Sequence, residues 1–217
     1  MKEEPSIMTP NLTARTILSA LLCVVIMSAF AQTKTGTDYW QEDTKTYVSP
    51  TYGFYWRLNE DVEWEVIPKE YMLQEGAVFA ARGDDGLVVA YIVDAGDVND
   101  GIDIWETEEV FRTGISSAYG SMGNNVRLES LEKCTLDGFH AFKIRQTYSL
   151  AGDDRYPDAG ELTYLSYALA KEGKLLHFFL LYPKELEDYL NQVGVTIEYT
   201  FFAHLRLNIS KETLRSK

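Results

Sequence analysis

The chain is expected to fold as an α+β domain, with one antiparallel β-sheet of six to seven strands and helices packed on it. Three observations carry this expectation. Strand-like runs are joined by tight turns at Gly83-Asp84-Asp85-Gly86, Asp137-Gly138 and Glu172-Gly173, the connections that antiparallel strands use. Between two such sets of strands, Phe111, Ile115, Ala118, Tyr119 and Met122 recur at steps of three and four, the spacing of one helical face. Finally, Lys174–Tyr182, KLLHFFLLY, is apolar almost throughout, so a strand there needs cover on both faces and belongs at the centre of the sheet.

The elements follow in order. Residues 32–50 are polar and read as a flexible lead-in, with Tyr39-Trp40 docked on the domain. Tyr52–Leu58 is aromatic-rich and reads as the first strand, extended by Trp64–Ile67 after a turn at Asn59-Glu60-Asp61. Glu75–Gly83 and Gly86–Asp94 form a hairpin. Asp103 opens a helix, paired with Glu106 in the manner of a capping box, and Gly120, Gly123 and Asn124 close it. Val126–Thr135 and Phe139–Leu150 form a second hairpin. Its two-residue turn sets Leu136 opposite Phe139, Thr135 opposite His140, Cys134 opposite Ala141, Glu132 opposite Lys143 and Leu131 opposite Ile144. Leu162–Lys171 and Lys174–Tyr182 form a third. Pro183 starts a helix with Glu185, Glu187 and Asp188 in its first turns, where the helix dipole favours acids. Beyond it both periods fit: Leu186, Leu190, Val193, Ile197, Phe201 and Leu205 suit a helix, whereas Val195, Ile197, Tyr199, Phe201, Ala203, Leu205, Leu207 and Ile209 suit a strand. One α+β domain therefore spans residues 51–210, followed by a polar tail, 211–217.

Residues 1–31 read as a signal peptide. Arg15 supplies the positive flank, Ile17–Met27 the apolar run and Ala29-Phe30-Ala31 the small-x-small cleavage site. The apolar run is about half the ~20 residues of a membrane span, so no stable insertion is expected after cleavage. Glu3 and Glu4 dilute the leader's charge, and Met8 is an alternative start. Cys23 raises lipidation as an alternative, but Leu22 precedes it where a lipobox takes a small residue. The expected location is extracytoplasmic, periplasmic or secreted. Leader charges cancel, so the mature chain keeps the formal net charge of −13. Such a chain repels phosphate backbones and anionic membrane surfaces, which leaves nucleic acid out and suits a cationic partner or a metal ion; an envelope or secreted protein partner is expected. In a eukaryotic host, Asn208-Ile209-Ser210 would be a glycosylation site.

Motifs for chemistry are sparse. Cys134, lone in the mature chain, and His140 face opposite ways in the hairpin register, which argues against a Cys-His nucleophile. His140, His177 and His204 lie one per element; no HExxH or GxSxG occurs, and no glycine-rich phosphate loop. No catalytic residue and no cofactor is assigned from motifs. A Ser-His-Asp set assembled in space stays open, because triads are defined by geometry. The loop from Asp94 to Asp103 carries Asp94, Asp97, Asn99, Asp100 and Asp103, oxygen ligands that suit Ca²⁺, although the spacing fails the EF-hand pattern. The competing reading is an ordinary strand-to-helix loop with Asp103 as the cap. Tyr39, Trp40, Tyr55, Trp56 and Trp64 crowd the N-terminal part, either as core or as a binding patch for a peptide or sugar.

The segments YGFYWRLNEDVEW, DGFHAF after a mid-chain helix, and an apolar strand running into PKELEDYL occur in an order that resembles the Mog1/PsbP-like family over most of Tyr52–Leu207. That resemblance implies an α/β sandwich and a binding or assembly factor, with no catalytic set to carry over. The expected function is an extracytoplasmic, non-enzymatic binding or accessory protein acting through a surface patch. Two alternatives stand beside it: a secreted hydrolase with a spatially assembled site, and a Ca²⁺-regulated binding module.

Overall fold

A computed structural model describes residues 38–207 apart from 69, 71–76, 84–87, 100, 123–125 and 150–160; side chains of 88–97 and 116–122 are likewise outside the description. The segments expected as leader, 1–31, and polar tail, 211–217, lie outside the described residues. Among the described residues no helix is long and apolar enough to cross a membrane.

Two sheets form the frame. The larger has seven strands in the order β4 (Glu65–Val66), β5 (Ala77–Arg82), β6 (Val88–Asp97), β10 (Lys174–Pro183), β9 (Glu161–Lys171), β8 (Phe139–Ser149) and β7 (Val126–Leu136). Helix α1 (Glu108–Met122) carries the chain from β6 to the far edge at β7, and the meander β7-β8-β9-β10 then fills the gap. The apolar strand β10 is thus central, antiparallel to both β6 and β9. The smaller sheet has four strands, β1 (Tyr39–Gln41), β2 (Thr46–Ser49), β3 (Phe54–Arg57) and β11 (Leu205–Arg206), in the order β1-β2-β3-β11. Helices α2 (Lys184–Gln192) and α3 (Ile197–Phe202) join β10 to β11.

Alternation along the strands divides the large sheet into two faces. Leu176, Phe178, Leu180 and Tyr182 join Leu165, Tyr167, Leu169 and Ala141 in one core with Tyr47, Phe54 and Trp56 of the small sheet and Ile197, Phe201 and Phe202 of α3. Rings dominate this aromatic face: Phe178 meets Phe54 and Trp56 edge-on at 5.2 and 5.7 Å. On the opposite face Phe142, Ile144 and Ala168 pack with Ile104 and Ile115. This is the α1 face.

Several elements differ from the sequence expectation. The stretch 39–49, expected as a flexible lead-in, forms β1 and β2. Its polar side chains satisfy one another: the Asp38 carboxylate accepts from Tyr47 Oη (3.1 Å), Ser49 Oγ (3.0 Å) and Thr51 N (3.3 Å). The docking of Trp40 does occur, through its stack on Phe79 at 5.4 Å. The C-terminal ambiguity resolves into both answers. Gly194 takes the left-handed conformation (φ 77°) just past α2, Thr196 caps α3 by accepting from Tyr199 N, and the strand period survives only in β11. The hairpin registers at β7–β8 are those expected from Asp137-Gly138, whose positive φ values of 48° and 86° give the turn its hand.

Candidate functional site

Turns and a loop converge at the end of the sheet where β6 leaves and the β7–β8 and β9–β10 turns lie. Between them runs a groove of about 540 Å³, lined by Val98–Asn99, Gly101–Ile104, Phe139–His140 and Ala170–Gly173. Its position follows from the topology: β6 must give way to α1 here, and the loop between them forms one wall.

That wall is held in place at Asp103. Its carboxylate caps the 3₁₀ turn Ile104–Thr107 by accepting from Trp105 N at 3.0 Å, so the expected cap is present, one short turn ahead of α1. The other oxygen lies 2.8 Å from His140 Nδ1. The Trp105 amide first, and the His140 ring second, hold the Asp103 carboxyl below the usual range, so it is the acceptor and His140 Nδ1 the donor. That leaves His140 Nε2 unclaimed by Asp103. The His140 ring stacks on Trp105 at 3.5 Å with 5° between planes, and Trp105 Nε1 donates to Ala141 O at 3.0 Å. Loop and hairpin are therefore joined by a capped carboxylate, an imidazole and an indole.

Lys171 forms the opposite support. Its ammonium donates to the carbonyls of Tyr52 (2.8 Å), Gly53 (2.7 Å) and Leu207, and stands 5.7 Å from the centre of the Phe139 ring. Leu207 N donates in turn to Asp137 Oδ2 at 2.6 Å. The floor is mixed: Ile104 is buried, Val98, Ile102, Phe139 and Ala170 are half-buried, and Asn99, His140 and Glu172 are exposed. No residue named in the lining carries a hydroxyl or a thiol.

The groove gathers part of what the sequence singled out. Asn99 and Asp103 line it; the backbone of Asp94 and Asp97 lies in β6, while their side chains and Asp100 fall outside the described residues. Among the described residues no group of three His, Cys, Asp or Glu stands close enough to hold a metal ion. The N-terminal aromatics require a correction. Trp56 and Trp64 are core residues with 0 and 4% exposure, not members of a surface patch. Trp56 Nε1 donates to Phe201 O and Trp64 Nε1 to Asn59 O, both at 2.8 Å, so even their polar atoms are used internally. Tyr39, Trp40 and Tyr55 remain half-buried. Cys134 is half-buried against the aromatic core, burial pushes its thiol up, and it sits opposite Ala141, on the other face of the sheet from His140. Sequence reasoning placed Phe139 and Glu172 in hairpins without giving them a part in a site, and it missed Trp105 altogether. Asp103 and His140 lie 37 residues apart, and no local pattern couples them.

A two-sheet α+β fold with a groove at the loop end of the larger sheet is the class of protein so defined. No protein-family model matches the sequence, and no curated protein matches it. Among solved structures the chain is similar to the cyanobacterial PsbP (CyanoP) from Synechocystis sp. PCC 6803, at 12% identity and a TM-score of 0.49, covering 83% of this chain and 98% of that one. It is similar to a protein from Bacteroides thetaiotaomicron at 12% identity and a TM-score of 0.43, over 75% of this chain and 48% of that one. A protein of unknown function from Pseudomonas aeruginosa, PA94, shows 11% identity and a TM-score of 0.35, over 73% of this chain and 90% of that one. These likenesses concern fold alone.

Proposed function

We propose that this chain is an extracytoplasmic binding or accessory protein and that the groove at the loop end of the large sheet receives its protein partner. One observation carries the reading: a concave, partly apolar floor bounded by polar groups whose geometry is fixed before any ligand arrives. Asp103, His140 and Trp105 are locked to one another, so a partner meets them without an ordering cost. The leader at residues 1–31 supports the location, and the net charge of −13 supports a protein over nucleic acid.

The hydrolase alternative draws on the Asp103–His140 pair, which has the form of a base and its orienting carboxylate. No described lining residue offers it a hydroxyl or thiol nucleophile. The Ca²⁺-regulated alternative must take Asp103 from the cap and from His140.

A photo-crosslinking side chain placed at Asn99, in the exported protein in its own cells, tests the proposal. The expected result is a discrete protein adduct from Asn99 and none from Glu109, an exposed control on α1. A panel of esterase, phosphatase, glycosidase and peptidase substrates, with and without Ca²⁺ and Zn²⁺, runs beside it. Turnover abolished by His140→Ala would replace binding with hydrolysis. Calcium that raises the melting temperature without turnover would favour the regulated module.

A further inference from the structure

We propose that the outer face of α2 and α3 is a second docking surface, separate from the groove, and that it takes an arginine- and lysine-rich segment of a partner protein. Four large hydrophobic side chains stand exposed among the described residues, and three belong to this helical pair and the link between its helices: Tyr189 at 61%, Val193 at 56% and Tyr199 at 72%. Folding does not account for them. The helices already place Leu186 and Leu190 against the aromatic core and bury Ile197, Phe201 and Phe202 in it. Tyr189 and Val193 are four residues apart, and Val193 N donates to Tyr189 O at 3.3 Å, so the two side chains share one face of the same turn.

The support beneath this face is fixed. Arg145 of β8 pairs with Glu187, Lys143 of β8 pairs with Glu198 at 2.6 Å, and Trp56 Nε1 holds the Phe201 carbonyl at 2.8 Å. Exposed tyrosines on a rigid mount bring contact area at low entropic cost, the chemistry of binding hot spots.

Charge selects the occupant. Between Lys184 and Phe202 the chain carries Glu185, Glu187, Asp188 and Glu198 against the single base Lys184. Glu187, Glu198 and Lys184 have ion-pair partners, whereas Glu185 and Asp188 are exposed and enter no ion pair among the described residues. Glu185 lies one helical turn ahead of Tyr189 and Asp188 lies next to it in sequence, so a ring and carboxylates stand together on α2 and suit guanidinium and ammonium groups, through ring contact and charge-assisted hydrogen bonds. An acidic partner is repelled by the same carboxylates, and a second copy of a chain with net charge −13 brings the same sign against itself. The surface begins past Pro183, at the opposite end of β10 from the groove, and none of Glu185, Asp188, Tyr189, Val193 and Tyr199 lines the groove.

The test is titration of the isotope-labelled mature protein with an octa-arginine peptide, and with octa-glutamate, at low salt, followed residue by residue by NMR. Octa-arginine is expected to shift the amides of residues 185–202, and octa-glutamate to leave them unmoved. Tyr189→Ser combined with Tyr199→Ser is expected to weaken octa-arginine binding about tenfold or more, and Glu185→Lys with Asp188→Lys to do the same. All four positions are on the surface, so both variants keep the fold. The proposal is overturned if the shifts gather at the groove, if both double variants keep wild-type affinity, or if the tyrosine variant abolishes a self-association that assigns the face to a second copy.

Discussion

The two faces of the seven-stranded sheet are built from the same strands and differ in kind. Toward the small sheet, β9 and β10 present Leu165, Tyr167, Leu169, Leu176, Phe178, Leu180 and Tyr182, an apolar and aromatic surface closed by rings. Toward α1, the alternate residues include Ser166 and His177, and the neighbouring strand adds Gln146; all three are buried. The α1 face also runs out into the groove, through His140 in the same alternation as Phe142 and Ile144. One face supplies cohesion. It also buries Thr147 and Thr163; the α1 face buries Ser166, His177 and Gln146, and the candidate site lies at its end.

Breaking the aromatic face should have the largest effect. Phe178 has no exposure and touches Phe54 and Trp56, so Phe178→Ala is expected to cost about 3–5 kcal/mol through the cavity it leaves. Urea denaturation measures this; an unchanged midpoint would remove Phe178 from the centre of the core.

The α1 face should show itself in acid. His177 is buried, with Tyr164 Oη at 3.5 Å from Nε2, and burial drops its pKa to about 4 against 6.5 for an ordinary imidazole. Between those values the unfolded chain binds a proton that the folded one refuses. The stabilisation is therefore complete above pH 6.5 and is lost as pH falls toward 4, by about 3 kcal/mol. His177→Leu should remove this component, so the stability difference between variant and wild type should grow as the pH is lowered through that window. A difference independent of pH would show that His177 does not titrate between the two states.

The smallest effect sharpens the same contrast. Ser166 has no exposure, and its hydroxyl has no hydrogen-bond partner among the described residues. Ser166→Ala is expected to raise stability by about 1 kcal/mol, since it removes a buried polar group that no described residue satisfies. Thermal unfolding would detect the gain, and a loss of similar size would mean that the hydroxyl is bonded after all.

Much of the aromatic face was legible from sequence because period and turn agreed there. The apolar run of β10 demanded two covered sides, and Asp137-Gly138 set the β7–β8 register down to Leu131 opposite Ile144. The small sheet was not legible. β1 and β2 are only three and four residues long, and they are ordered by contacts distant in sequence: the stacks of Trp40 and Tyr47 on Phe79, and the Asp38 carboxylate bonded to residues 9–13 positions further on. Trp56 and Trp64, which the sequence leaves as either core or patch, are core, edge-on to Phe178 and Phe201 respectively. The Asp103 cap followed from local pattern. Its pairing with His140, and the Trp105 stack, arise only when the hairpin end folds back onto the β6–α1 loop, a contact that no local spacing encodes.

The contrast between the faces accords with the proposal that a partner binds at the groove, while cohesion lies on the aromatic face. It is tested most directly by the affinity of the crosslinked partner, once isolated, for Trp105→Ala combined with His140→Ala, measured by calorimetry alongside the variant's melting curve. Both residues line or border the groove, and neither belongs to the aromatic core. The account predicts affinity reduced about tenfold or more with the cooperative melt retained. Wild-type affinity in a folded variant would contradict it and move the binding site away from the loop end of the sheet.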